Sequence, residues 1–231
     1  MGNKNLLDKN SLSVTVDKIN EVYFYGNDFS DYNVDETVKW ILGRYNTEYS
    51  YRGSFGVTDK DMRSVLRTFT GEKLTSQASM RHIHAEEAGR ALHILKKYTA
   101  IKMPELTESD SNFVRIFLEW ENNGKHEGTF CCGQCTVSLW RNMAAGGYGR
   151  YAGKLNSGIS VLKKFRKGNG QWSRFPFYYT LSALLESAKL PNAAAEIGFA
   201  RDECSKKLKN LRGKDKYAGR KNDLLKKIID L

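Results

Sequence analysis

A glycine, a polar residue and an aromatic recur as a tripeptide three times along this chain, each time behind a segment with helical spacing. Gly53-Ser54-Phe55 follows Val38-Lys39-Trp40-Ile41-Leu42 by about ten residues, and Gly128-Thr129-Phe130 follows Val114-Arg115-Ile116-Phe117-Leu118 in the same way. Gly170-Gln171-Trp172 takes the equivalent place in a third copy. Leu118 and Gly124 match Leu162 and Gly168 at one common offset, as Cys135-Thr136-Val137-Ser138 matches Tyr179-Thr180-Leu181-Ser182. The unit reads as helix, loop, Gly-polar-aromatic, helix. Glycine lets the loop turn sharply, and the aromatic buries a large ring at the base of a helical hairpin.

The intervening segments carry apolar residues at helical spacing. Asp35 is a fair N-cap for a helix with Val38, Ile41, Leu42 and Tyr45 on one face. Thr58 and Asp61 imitate a capping box, with Met62, Val65, Leu66 and Phe69 behind it. Further helices are expected over about 76–97, 109–121, 132–145, 154–167, 175–188, 192–211 and 214–231, with Pro104 in a connection. Gly146-Gly147 and Gly168-Asn169-Gly170 stop two of them. The fold class is therefore all-α, with α/α-hairpin repeats forming a partial toroid or a curved helical solenoid. Residues 1–34 read as an irregular N-terminal arm with at most a small strand near Glu21–Tyr25. Residues 35–231 read as a single helical repeat domain ending in a basic helical pair.

The element Gly-Gln-Trp-Ser-Arg-Phe-Pro-Phe-Tyr-Tyr-Thr at 170–180 resembles the Gln-Trp type repeat of the α/α-toroid superfamily, which includes squalene-type terpene cyclases and protein prenyltransferase β subunits. The resemblance spans roughly residues 35–188. It implies inner helices around a central cavity, with Cys131, Cys132, Phe177, Tyr178 and Tyr179 lining it and an apolar or prenyl-like ligand inside. The acidic motifs of those enzymes have no counterpart here beyond Asp59-Lys60-Asp61, and no Asp, Cys and His zinc trio can be assigned. An enzyme-derived pocket thus stands beside a non-catalytic helical-repeat scaffold for a protein, peptide or nucleic acid.

Three constellations carry candidate chemistry. In Cys131-Cys132-Gly133-Gln134-Cys135, Cys132 and Cys135 have the spacing of a metal-binding or redox pair. Zinc needs two further ligands, for which His126, His82 and His84 are available. Tight core packing and a reactive thiolate at a helix N-terminus are the other readings. In His82-Ile83-His84-Ala85-Glu86-Glu87, His82 and Glu86 share a helix face at i, i+4. Facing a cavity, they would serve as an acid–base pair beside Cys135; turned to a neighbouring helix, they would be a polar contact. Arg52 and Arg174 flank loop aromatics, where they would hold an anion or cap a helix.

Charge and composition narrow the classes. The net charge of +11 is concentrated in the C-terminal segment, among Leu208, Leu211, Leu224 and Leu225. That is the polar face of amphipathic helices, and nucleic acid is a possible partner through charge alone. With 40% hydrophobic residues and three prolines, a packed core is affordable. No apolar run approaches the roughly 20 residues that cross a bilayer. The first ten residues lack the features of a signal peptide, and Leu6 stands where a myristoylation signal has Ser or Thr. Four cysteines, three of them clustered, fit reduced thiols in the cytoplasm better than a disulfide framework.

Overall fold

Every residue from His82 to Leu92 is buried, which makes their helix the axis of the molecule. The computed structural model describes residues 4–231, and the described residues form helices with no β-strand. In chain order these are α1 (Leu12–Phe24), α2 (Val34–Leu42), α3 (Asp59–Met62), α4 (Gln77–Leu95) and α5 (Pro104–Asn122). There follow α6 (Gly133–Ala144), α7 (Leu155–Ser160), α8 (Phe177–Glu186), α9 (Pro191–Asn210) and α10 (Lys216–Ile229). Helix α4 packs against α1, α2, α5 and α6, while α8, α9 and α10 pack on one another beyond α6.

The N-terminal segment departs from the irregular arm expected of it. Leu12, Val16, Ile19 and Val22 are buried at helical spacing along α1, and Ser11 caps the helix by accepting from the Val14 amide. Asp61 secures that cap, accepting from the Ser11 hydroxyl and the Leu12 amide. The short alternation at Ser13–Asp17 and the aromatic run at Glu21–Tyr25 are one turn pattern of a helix whose apolar face meets α4. Leu6, Leu12 and Ile19 share a core with Ile83 and Ala88, so this segment belongs to the same packed body as the helices after residue 35.

Three other boundaries shift. The Thr58–Asp61 capping box forms, yet α3 ends after one turn at Met62. Val65 is 70% exposed, and Leu66 and Phe69 are buried from an irregular segment instead. Pro104 is the first residue of α5, where its missing N–H removes nothing the helix needs. The helix expected over 154–167 is the short α7 between two 3₁₀ turns, Gly149–Lys154 and Val161–Phe165. Gly153 and Gly158 lower the α-propensity there.

The three tripeptides have a common geometry. Gly53, Gly128 and Gly170 have φ of 71°, 67° and 77°, a left-handed conformation that glycine adopts without a Cβ penalty. Phe55, Phe130 and Trp172 behind them are all buried.

The basic C-terminus is partly spent inside the protein. Arg220 on α10 is 1% exposed and pairs with Asp17 of α1 at 2.6 and 3.0 Å, with its guanidinium over the Phe69 ring. Lys207 and Lys221 lie over the Tyr178 ring. Arg220→Ala is expected to cost about 2 kcal/mol, less than for a fully buried pair because Asp17 still reaches water. Urea unfolding would measure it, and a cost near zero would mean α10 is not held to α1 by this pair. No described helix is long and apolar enough to cross a membrane.

Candidate functional site

Helix α6 begins at the cysteine cluster. Cys132 is its N-cap, in extended conformation, and its sulfur accepts from the Cys135 amide at 3.5 Å. Gly133 is required at the next position. A Cβ there would lie 2.0 Å from the Arg174 carbonyl oxygen, because the segment before α8 passes directly over the helix start. Gly133→Ala should therefore cost about 1–3 kcal/mol, the usual penalty of overpacking. A thermal melt tests this; an unchanged midpoint would show that the 174–175 segment yields freely. Gln134 holds the same corner by donating to the Lys73 carbonyl at 3.2 Å.

The sulfurs of Cys131, Cys132 and Cys135 all lie within 4.8 Å of one another. Their surroundings differ. Cys131 and Cys132 reach solvent and Cys135 is buried. The Cys135 thiol donates to the Cys132 sulfur, and amides of Cys135 and Gln134 add to this against the cost of burial, bringing the Cys132 thiol down to about 5. The same S–H···S contact and burial push the Cys135 thiol far up. Burial leads in raising Cys131. The cluster thus pairs an accessible sulfur at the helix N-cap with a buried thiol. Cys204 lies apart on α9, buried, and burial pushes its thiol up to about 12.

Tyr51 packs against the α4 histidine. Its half-buried ring lies 4.7 Å from the His82 ring, and its hydroxyl feels Arg52, Cys131, Cys135 and Glu86 in addition to its burial. Ser79, one turn before His82 on α4, adds the smallest of the influences that lower the Cys132 thiol. His82 is enclosed by the rings of Tyr51, Phe113 and Phe130. Its Nε2 lies 3.1 Å from Glu86 Oε1, while its buried Nδ1 has no partner among the described residues. The i, i+4 pair of His82 and Glu86 thus stands inside the core.

Behind it lies a polar network invisible in the sequence. Glu86 also accepts from Asn142 at 3.1 Å and from the Tyr148 hydroxyl. Glu87 accepts from Arg141 at 2.5 Å, Tyr179 at 2.7 Å and Asn20 at 2.9 Å. Glu186 accepts from Arg141 at 2.9 Å and Arg90 at 2.7 Å, and Arg90 returns to Asn20. Two arginines and two glutamates from α4, α6 and α8, with Asn20 of α1, close a charge-balanced ring. Burial opposes the Glu87 charge, but Arg141 and Arg90, with bonds from Tyr179 and Asn20, hold its carboxyl below the ordinary value. Arg90 and Arg141 sit in an unremarkable Lys/Arg background, so sequence spacing gave no signal for them.

The remaining sequence candidates are dispersed. Tyr179 is buried with its hydroxyl on Glu87, while Phe177 and Tyr178 are half-buried under Lys207. Arg52 and Arg174 are exposed, both with left-handed backbone at φ 48° and 66°. His84 is buried, its Nδ1 2.9 Å from the Met80 carbonyl, and burial leads in lowering its pKa. His126 is half-buried, its Nδ1 2.7 Å from the Glu127 carbonyl.

A cleft of about 1000 Å³ opens elsewhere, between the end of α4, the start of α5 and the loop after α6. None of Cys131, Cys132, Phe177, Tyr178 and Tyr179 borders it. No protein-family model, curated protein or solved structure matches the chain. Fold and site together define an all-helical protein with a three-thiol cluster at a helix N-terminus.

Proposed function

We propose that the protein works through a dithiol–disulfide couple, with Cys132 as nucleophile and Cys135 as resolving thiol. The observation that carries this reading is the asymmetry of the pair: an accessible sulfur at the helix N-cap, accepting from the Cys135 amide and within 4.8 Å of a buried thiol, with the two thiols shifted in opposite directions. Cys132 thiolate attacks a disulfide R–S–S–R′, forms the mixed disulfide and expels R′S⁻. The Cys135 thiol then loses its proton and attacks the Cys132 sulfur. The Cys132–Cys135 bond closes and RS⁻ leaves, taking up a proton. Two electrons pass to the substrate disulfide.

A soft divalent ion such as zinc is the second reading, favoured by Cys131, whose sulfur completes a three-thiol face. Equilibration with reduced and oxidised glutathione, followed by peptide mapping, separates the two. The redox reading expects a Cys132–Cys135 crosslink with a single midpoint. Protein that carries stoichiometric zinc and resists crosslinking until chelated supports the metal reading and sinks the first.

The toroid-type arrangement, with an apolar or prenyl-like ligand, is supported by the three loops whose glycines are left-handed and whose aromatics are buried. The cysteine cluster borders no cavity of that kind, so the thiol pair carries the function proposed here. A scaffold role for a protein, peptide or nucleic-acid partner would rest on the exposed lysines of α9 and α10. A reducing compartment such as the cytoplasm suits four free thiols.

A further inference from the structure

The cleft between α4 and α5 contains a second constellation, remote from the thiols in its lining. His93, in the last turn of α4, places Nε2 3.0 Å from Asp110 Oδ2 on α5. That same carboxylate oxygen accepts from the Tyr148 amide at 3.2 Å. The two contacts fix Asp110, and Asp110 fixes the imidazole with Nε2–H donated and Nδ1 left as an acceptor. Among the described residues nothing is bonded to Nδ1, and the side chain is 11% exposed at the cleft wall.

Tyr148 shows that this wall is held against a cost. It is a buried aromatic with φ 68° and ψ 12°, a left-handed conformation unfavourable for any residue with a Cβ. Its hydroxyl is locked to Glu86 and Asn142 and its amide to Asp110, so core and cleft together impose the conformation. Backbone strain of this kind persists where the surroundings over-determine it, and it collects at binding sites.

The rest of the lining sets the ligand's character. Ile101, Met103, Leu106 and Val114 give an apolar floor, and Lys96 and Lys102 stand at the exposed rim. The volume is that of small-molecule sites. We propose that the cleft binds a small hydroxy acid with an apolar body: the hydroxyl donates to His93 Nδ1, the body covers the floor, and the carboxylate meets the lysines. His93 would thereby stand where a general base must stand relative to that hydroxyl.

Calorimetric titration with 3-phenyllactate tests this, with 3-phenylpropanoate (no hydroxyl) and lactate (no apolar body) as comparisons. The wild type should bind phenyllactate saturably at millimolar concentration, phenylpropanoate about five- to tenfold more weakly, and lactate not measurably. His93→Gln should reduce phenyllactate to the phenylpropanoate level while leaving phenylpropanoate unchanged, a pattern that mere disruption of the wall would not give. Lys102→Gln, at an exposed position, should weaken both aromatic acids and serves if His93→Gln does not fold. Absence of saturable phenyllactate binding, or equal weakening of both acids in His93→Gln, overturns the proposal.

Discussion

Glu87→Ala should lower the stability of the fold by about 3–5 kcal/mol, the cost of breaking a buried ion pair and leaving its partner unpaired. Glu87 closes one side of the ring formed with Arg141, Arg90 and Glu186, and Arg141 is 1% exposed. Without Glu87, two buried guanidinium groups share the single carboxylate of Glu186. For a chain of this size the loss corresponds to roughly 6–20 °C in unfolding temperature. Glu87→Gln keeps the volume and some hydrogen bonds, so it isolates the charge and should lose less. Urea unfolding of both variants decides the matter; a loss below about 1 kcal/mol for the alanine variant would show the ring to be dispensable.

The same carboxyl gives a pH signature. Its folded value lies below the ordinary 4.5, so the folded state binds its proton more weakly than the unfolded chain does. Its contribution is complete above about pH 4.5 and is lost as pH falls through the folded value. The stability gap between wild type and Glu87→Gln should accordingly be constant near neutrality and close in acid. A gap that widens in acid would contradict the ion-pair account.

The second large effect is chemical. At pH 5.5 a thiol of pKa about 5 is mostly thiolate, while an ordinary thiol near 8.5 is ionised to about one part in a thousand. A thiolate of lower pKa is intrinsically less nucleophilic, which returns part of that advantage. The balance leaves Cys132 reacting with iodoacetamide roughly 20-fold faster than an ordinary exposed cysteine at pH 5.5, and more slowly than one at pH 8.5. Cys132→Ser should remove the acidic reactivity almost entirely. Cys135→Ala, which leaves no side-chain donor, should move the profile of Cys132 toward alkaline pH, because the hydrogen bond with Cys135 leads in lowering it. Peptide-resolved alkylation rates would show both. If Cys131 dominates labelling at pH 5.5, the nucleophile has been misassigned.

Much of this was written in local sequence. Apolar residues at 3.6-residue spacing specified α4, α6, α8, α9 and α10 to within a few residues, since burial of one face is what makes such a segment a helix. The Thr58–Asp61 box and the loop glycines acted as written because capping and left-handed turns depend on neighbours only. The Cys132–Cys135 spacing likewise placed two sulfurs on one turn. Local pattern misled at α1 and after α3. There the partner surface, α4 for Leu12–Val22 and the irregular burial of Leu66 and Phe69, decided the conformation.

The sequence by itself determined an all-helical chain, its loop chemistry and a thiol triad at the head of a helix. Tertiary structure alone decided that His82 and Glu86 face inward, that Arg141 meets Glu87 and Glu186, and that His93 meets Asp110 across a cleft. Those pairs are separated by 17 to 54 residues or depend on which way α4 turns. Helix periodicity fixes which residues share a face; only the packing of other helices around α4 fixes what each face meets.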